Sequence, residues 1–445
     1  MLKKQETIQS LHLGIIHPKA AGLDVGSMNM MVSYPGPAGI QIVQEYGAYT
    51  EDLIQMAKDL QAAGVTHVGL EATGVYWMTV YEILEQHHFK VTLVNARHYK
   101  NVDGQKTDVK DCQWIQQLHA HGLLRPSHIA EADYRELRTY IHERNLMQVM
   151  KSDTLNRIQK LLTQMNIKLQ HLISDIEGVA GMQIIEEISK GETSASKLLA
   201  AVNTTRLKAS TEELQKSLTG IYKPHYITVL KQHLVVYRFC KDQMLVYERL
   251  IEDVLKRMLP ATDKLIKAKT TKARKNQYHF NLKEYLHKIA GVDLTTIDGM
   301  EESSVLMIIA VVGLNMHKWP TADHFTSWLN LAARPRITGG KIIGHQKRFT
   351  NNPATQAFRL AAQTMWKHKG SLGHLYRRLS ARKGSKKAIK AVARRLAVIF
   401  YTMVKKQVPY DPKKIIIDEE KLRAKKIARL RKEAEKLGCR IETAA

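Results

Sequence analysis

The order in which strand-like and helix-like runs follow one another over the first 120 residues is the tightest constraint on the fold. Residues 20–26, 29–34 and 40–46 read as three consecutive strands, with the turn Pro35-Gly36-Pro37-Ala38-Gly39 between the second and third. Thr50 is placed to cap a helix over 51–63, which would carry Leu53, Met56, Ala57 and Leu60 on one face and stop at Gly64. A strand at 66–72, a helix at 75–87, a strand at 90–96 and a helix at 107–121 follow. The pattern is βββαβαβα, a three-strand meander and then strands added in parallel, each after a helical crossover.

Four acids punctuate this pattern. Asp24 lies in Ala21-Gly22-Leu23-Asp24-Val25-Gly26, and Glu71 in Val68-Gly69-Leu70-Glu71-Ala72-Thr73-Gly74. Both sit in or at the end of apolar strand-like runs, where a carboxylate is costly unless paired or bound to a metal. In Gln105-Lys106-Thr107-Asp108-Val109-Lys110-Asp111 two more acids stand three residues apart at a helix start, and therefore on one helix face. In the order Asp, Glu, Asp, Asp, they suggest a divalent metal site. By analogy of fold, the element order is that of the ribonuclease-H-like proteins, where one acid sits on the first strand, another on the fourth, and the rest follow the last strand.

The charge is unevenly spread. The chain of 445 residues has a formal net charge of +26, yet residues 1–120 hold 9 Lys/Arg against 12 Asp/Glu, leaving 59 against 30 for the rest. Between His324 and Tyr410 there are 19 Lys/Arg and no acid at all. A one-signed stretch of that length repels itself unless a polyanion is near, which points to nucleic acid. No run approaches 18 consecutive apolar residues and the N-terminus lacks a signal-like core, so a soluble, cytoplasmic, nucleoid-associated protein is expected. Cys112, Cys240 and Cys439 are too scattered for a disulfide framework or a CxxC metal site and are expected to be reduced.

From about 131 the pattern is helical. Leu155, Ile158, Leu162, Met165, Leu169, Leu172 and Ile176 step as an a/d heptad seam, and a second seam runs through Leu230, Leu234, Tyr237, Met244, Ile251, Leu255 and Met258 to Pro260. Two long helices around a polar interval at 178–224 suggest an antiparallel hairpin or, the preferred reading, a dimerising coiled coil. A basic hinge spans 260–280. Residues 289–300 followed by 304–313 resemble a helix-hairpin-helix, whose glycine turn would offer backbone N–H groups to a phosphate. Next come Phe325-Thr326-Ser327-Trp328-Leu329 and a loop at Thr338-Gly339-Gly340-Lys341, with Gly344 and a helix near 353–367. A hydroxyl beside cations there suits attack on, or binding of, a phosphate, although spacing alone favours a helix cap or turn hydroxyl at Thr338. Ser327, the nearest upstream serine, belongs to a segment whose tryptophan packs. A charged amphipathic helix is expected over 418–436. The domains read as 1–125, 126–270, 271–410 and a basic tail 411–445. The fold class is α/β plus α, with an N-terminal ribonuclease-H-like (RuvC-like) domain, a helical coiled-coil arm and a mostly helical basic C-terminal domain.

These residues carry a specific resemblance. Gly22-Leu23-Asp24-Val25-Gly26-Ser27 with Gly69-Leu70-Glu71-Ala72-Thr73-Gly74, then Lys106-Thr107-Asp108-Val109-Lys110-Asp111, then Phe325 to Leu329 with Thr338 to Lys341, Gly344 and Arg359, occur in the order seen in one transposase family. The chain resembles the insertion-sequence transposases with an N-terminal DEDD, RuvC-like domain, relatives of the pilin-inversion recombinases and known as bridge-RNA-guided recombinases. The resemblance covers about 15–165 and 285–400. It implies that Asp24, Glu71, Asp108 and Asp111 bind Mg²⁺ (or Mn²⁺), and that the C-terminal domain supplies a hydroxyl nucleophile. It also implies a structured non-coding RNA pairing with donor and target DNA. Family members usually carry serine where this chain has Thr338, whose extra methyl restricts χ1.

On that basis Thr338 attacks a scissile phosphate and forms a covalent link, and the released 3′ hydroxyl completes strand exchange. Arg334, Arg336 and Lys341 neutralise the developing charge, and Lys106, Lys347, Arg348 and Arg359 are further candidate nucleic-acid contacts. The acids and Thr338 are far apart in sequence, so a homo-oligomer sharing residues between protomers is expected. Two alternatives stand beside this reading. One is a junction-resolving RuvC-like nuclease that uses water and no covalent step. The other is a non-catalytic nucleic-acid scaffold, which would have lost an acid, and none is lost here.

Overall fold

The computed structural model describes residues 14–37, 40–95, 108–202, 209–261, 276–333, 335–345 and 351–412, with a few isolated positions beyond; the side chains of Asp108 and His345 fall outside the description. The chain divides into two compact units, 1–129 and 130–445.

The first unit is built on a five-stranded sheet. Its strands are β1 (Ala20–Val25), β2 (Asn29–Pro35), β3 (Gln41–Gly47), β4 (His67–Glu71) and β5 (Lys90–Val94), in the spatial order β3-β2-β1-β4-β5. β2 and β3 pair antiparallel, while β4 joins β1 and β5 joins β4 in parallel. This is the meander with parallel additions read from the sequence.

Strand periodicity then sorts the side chains. Ala21, Leu23 and Val25, with Met30, Val32, Val68 and Leu70, form one buried face with Leu53, Met56, Ala57 and Leu60 of α1 (Thr50–Ala62) and Val80, Ile83 and Leu84 of α2 (Trp77–Gln86). The opposite face receives α3 (Asp108–Ala120), where Ser33 donates to Gln116 at 2.6 Å. Thr50 is not the cap of α1. Tyr49 holds that position, and the Asp52 carboxylate accepts its backbone N–H at 3.2 Å, the geometry an acid in the first turn makes available. Gly64 does end the helix, in a left-handed conformation (φ +72°).

The second unit is helical. Two long helices, α4 (Ala132–Gln164) and α8 (Pro224–Met258), run antiparallel against each other. Their pairing is in-chain: Leu155, Ile158 and Leu162 share one core with Leu230, Leu234 and Tyr237. The expected seam through Leu169, Leu172 and Ile176 does not continue as one helix. α4 ends at Gln164, and Asn166 turns left-handed (φ +57°), so the later apolar residues fold back into the same core. The polar interval forms α5 (Val179–Ser189), α6 (Ala195–Ala200) and α7 (Thr211–Leu218), and Ile184, Ile185, Ile188, Leu198, Leu214 and Leu218 complete that core.

At the other end of the hairpin, Leu137, Ile141, Ile251, Val254 and Leu255 pack with α9 (Leu282–Ala290), α10 (Glu302–Val312), α11 (Ala322–Trp328), α12 (Pro353–Thr364), α13 (Ser371–Lys383) and α14 (Ser385–Lys406). The turn that resembled a helix-hairpin-helix is filled by protein. A Cβ on Gly299 would meet Met365 Cε at 2.5 Å and Thr364 Oγ1 at 2.8 Å, so this glycine is required by the packing of α12. Ser327 and Trp328 belong to α11, where the indole of Trp328 lies 5.1 Å from that of Trp319. Residues 262–275 of the basic hinge expected over 260–280, and nearly all of the tail helix expected over 418–436, lie outside the described residues. Among the described residues no helix is long and apolar enough to cross a membrane.

Candidate active site

The parallel pairing of β1 with β4 sets Ala20 against His67, Gly22 against Gly69 and Leu23 against Leu70. The same register carried one residue further sets Asp24 beside Glu71, with strands about 4.8 Å apart. Both acids are two residues beyond a glycine on the face that α3 covers. A Cβ on Gly69 would meet Ile115 Cγ2 at 2.9 Å and Leu124 Cδ1 at 3.1 Å, and a Cβ on Gly22 would run into the backbone of Cys112 and Gln116. The two glycines thus let the helix lie directly on the sheet, and beyond them the two carboxylates emerge beside the first turn of α3.

The helix is locked sideways as well as by contact. Gln41 donates to Gln116 at 2.7 Å, and Gln113 donates back to Gln41 at 3.1 Å, tying α3 to the start of β3. Asp111 is half-buried in the first turn, where a negative charge also suits the helix dipole. The buried Cys112 thiol is within electrostatic reach of Asp24 and Asp111. Burial pushes it up to about 11, and the charges of Asp24 and Asp111 push in the same direction, so both carboxylates act on one point. Its Sγ donates to the Val109 carbonyl at 3.1 Å.

Glu71 is only 3% exposed, and Thr73 Oγ1 donates to it at 3.3 Å. Two carboxylates side by side at strand ends, one of them buried, repel each other, and that repulsion falls when a cation stands between them. The set is all oxygen, which suits a hard divalent ion rather than a thiolate- or imidazole-loving one. Among the described residues no three such groups close to ligand distance. Asp108 is described as the first residue of α3 by its backbone, one turn from Asp111. Asp24, Glu71 and Asp111 are thus the donor type a hard divalent ion such as Mg²⁺ takes, without closing to ligand distance on their own.

Thr338 belongs to the second unit. It is not in an irregular loop but ends β6 (Pro335–Thr338), which pairs antiparallel with β7 (Lys341–His345). Gly339 (φ +51°) and Gly340 (φ +77°) form the two-residue link, a conformation that only a pair of positive-φ residues makes easily. Thr338, Arg336 and Lys341 are all exposed. Arg359 is exposed on α12 and lies near Lys390 of α14, whose ammonium is held below its usual range by burial and by Arg359. Lys106, Arg334, Lys347 and Arg348 lie outside the described residues.

Sequence reading missed Gly22, Gly69 and the glutamine clamp. A glycine two residues before each strand acid is the signal that could have found the first two. Residues 21–167, which include all four acids, match the family model for DEDD transposases of the IS110 type, described as transposase. No protein of curated function matches the chain. Over residues 21–167, a stretch that holds all of the sheet but Ala20 and the whole of α3, the chain is thus similar to the IS110-type DEDD transposases.

Proposed function

We propose that the chain is an RNA-guided recombinase of an insertion sequence, using the carboxylates of the first unit and the Thr338 hydroxyl of the second in one strand-exchange reaction. The observation that carries this is the β1–β4 register, which sets Asp24 beside Glu71 next to the helix turn bearing Asp111.

Asp24, Glu71, Asp108 and Asp111 would hold Mg²⁺ or Mn²⁺. When bound, such an ion neutralises phosphate oxygens and the charge that builds on the leaving oxygen. The chain's own groups do the rest. Thr338 Oγ forms a bond to phosphorus as the bond to the 3′ oxygen breaks. The hydroxyl proton is given up and the leaving 3′ oxygen takes one, so the step is proton-neutral overall. Lys341 shares the tip of the hairpin with Thr338, and Arg336 precedes it on the same strand, so cationic donors accompany the attacking hydroxyl. The unbroken basic stretch from His324 to Tyr410 supplies the salt-dependent grip on backbone phosphates. With target choice delegated to base pairing by a non-coding RNA, the protein is left to read shape and backbone.

The test is a denaturing gel of the full chain incubated with the RNA transcribed from the flanks of its gene and DNA of the element ends. A covalent protein–DNA adduct is expected from the native chain and from Thr338→Ser, and none from Thr338→Ala. An adduct that survives Thr338→Ala removes Thr338 as nucleophile. Cleavage with no adduct in any variant leaves the junction-nuclease reading instead.

A further inference from the structure

The hairpin that carries Thr338 has a second face. In its register Thr338 pairs with Lys341 and Ile337 with Ile342, and successive pairs of a ribbon face opposite sides. The hydroxyl and the ammonium therefore share one face at the tip, and two isoleucines share the other. A bulge in the pairing leaves Ile343 out of register beside them. All three isoleucines are open to water, with Ile337 61%, Ile342 64% and Ile343 63% exposed. Scattered exposed aliphatic residues are ordinary, but three on one short two-stranded ribbon form a concentrated apolar patch. Both strands of the ribbon are also edges, and a lone hairpin is marginal in water.

Charge says what covers it. The patch lies inside the stretch from His324 to Tyr410, which has 19 Lys/Arg and no Asp or Glu. A polyanion is the partner such a surface accepts, and an apolar edge within a cationic ribbon matches the interior of a nucleic-acid groove. A two-stranded ribbon fits into a duplex groove, and aliphatic side chains can enter a base step and open it.

We propose that the hairpin is a DNA wedge: Ile337 and Ile342 enter and unstack a base step next to the phosphate that Thr338 addresses. The proposal rests on Thr338 as nucleophile only for which phosphate is deformed. The deformation itself needs no bond to be cut. Opening the step loosens the backbone at that phosphate and holds the duplex against sliding while the hydroxyl is brought in line.

The experiment uses the full chain and short duplexes of the element ends, each with a single 2-aminopurine at a different position. Binding is brought to saturation by anisotropy before fluorescence is read. The native chain should raise fluorescence at one or two adjacent positions, and Ile337→Val with Ile342→Val should keep that rise. Ile337→Ser with Ile342→Ser should lose it on duplexes that are equally saturated, with an unchanged circular dichroism spectrum. A rise retained by the serine pair, or no rise at any position with the native chain, overturns the proposal. So does a serine pair that changes the mass of the free protein by light scattering, since the isoleucines would then be a contact between copies. Because the readout precedes cleavage, it can fail while the Thr338 adduct forms, and it can succeed when no adduct forms.

Discussion

Gly22 and Cys112 meet backbone to backbone: the carbonyl oxygen of Cys112 occupies the place where a side chain on Gly22 would begin. The first unit depends on this contact because it sets how closely α3 approaches β1. That approach sets where Asp111 stands relative to Asp24, two residues further along the same strand face.

Gly22→Ala should therefore damage both stability and the site. The clash is with backbone, which no rotamer change relieves, so a cost of about 1–3 kcal/mol or more is expected. Calorimetry of the full chain should show a lowered transition for Gly22→Ala. Gly14→Ala, which meets nothing within 4 Å, should leave it in place. Equal transitions would mean that α3 does not rest on β1 as described.

Glu71→Gln keeps the shape of a 3% exposed side chain and removes its charge. Cleavage of element-end DNA should fall by about 100-fold or more, the scale of removing one preorganised electrostatic group at a reacting phosphate. DNA retention at low salt should persist, because the basic stretch lies in the other unit. Isothermal titration with Mg²⁺ should show weakened uptake, and unchanged uptake would separate Glu71 from the metal.

In the second unit the Arg144 guanidinium, 2% exposed, donates through Nε at 2.9 Å and Nη2 at 2.7 Å to Glu248 Oε1. Its charged carbon lies 4.1 Å from the centre of the Tyr278 ring, and the other Glu248 oxygen accepts from the backbone N–H of His279 at 2.9 Å. This knot joins both long helices to the segment leading into α9. Arg144→Met leaves the buried Glu248 carboxylate with only His279, whose Nδ1 lies 2.7 Å from Oε2, and should cost about 3–5 kcal/mol, while pairing it with Glu248→Leu should recover much of the loss. Denaturant melts of the two variants decide this, and a pair no better than the single change would refute it.

Three imidazoles gather at the opposite end of β1 and β4 from the acids. The His17 ring stacks on His67 at 4.3 Å between centroids, and His119 lies 5.2 Å from His17. Burial first, then His17 and His67, lower His119 from the ordinary 6.5 to about 4, and burial, His17 and Lys90 lower His67. With the folded value below the unfolded one, the unfolded chain binds the extra proton as pH falls from 6.5 towards 4. Stability is therefore lost on acidification through that window and is flat above it for this group. The loss from His119 alone is on the order of 3 kcal/mol. Melting temperature against pH should fall less steeply for His119→Gln than for the native chain, and identical slopes would refute the account.

The elements of the first unit were legible because each announces itself locally. Alternation marked β1 to β5, Gly64 stopped α1, and Asp108 opened α3, all within a residue or two of where they stand. Asp24 and Glu71 stood out in the sequence because a carboxylate at the end of an apolar strand is out of place. The long seams were read correctly as helices but extended too far, because heptad stepping does not reveal that Asn166 reverses the chain. Nor could periodicity say that Leu155 to Leu162 would meet Leu230 to Tyr237 within the same chain.

Local sequence thus decided which segments are strand or helix, where charge accumulates and which residues are costly to bury, since these depend on neighbours a few positions away. Tertiary structure alone decided that Asp24 faces Glu71 one register step beyond the Gly22–Gly69 pair, that α3 lies on the glycine face, and that Thr338 shares a hairpin tip with Lys341 and not with the isoleucines. Each of these is a matter of pairing register, and a shift of one residue in a strand moves every side chain to the other face.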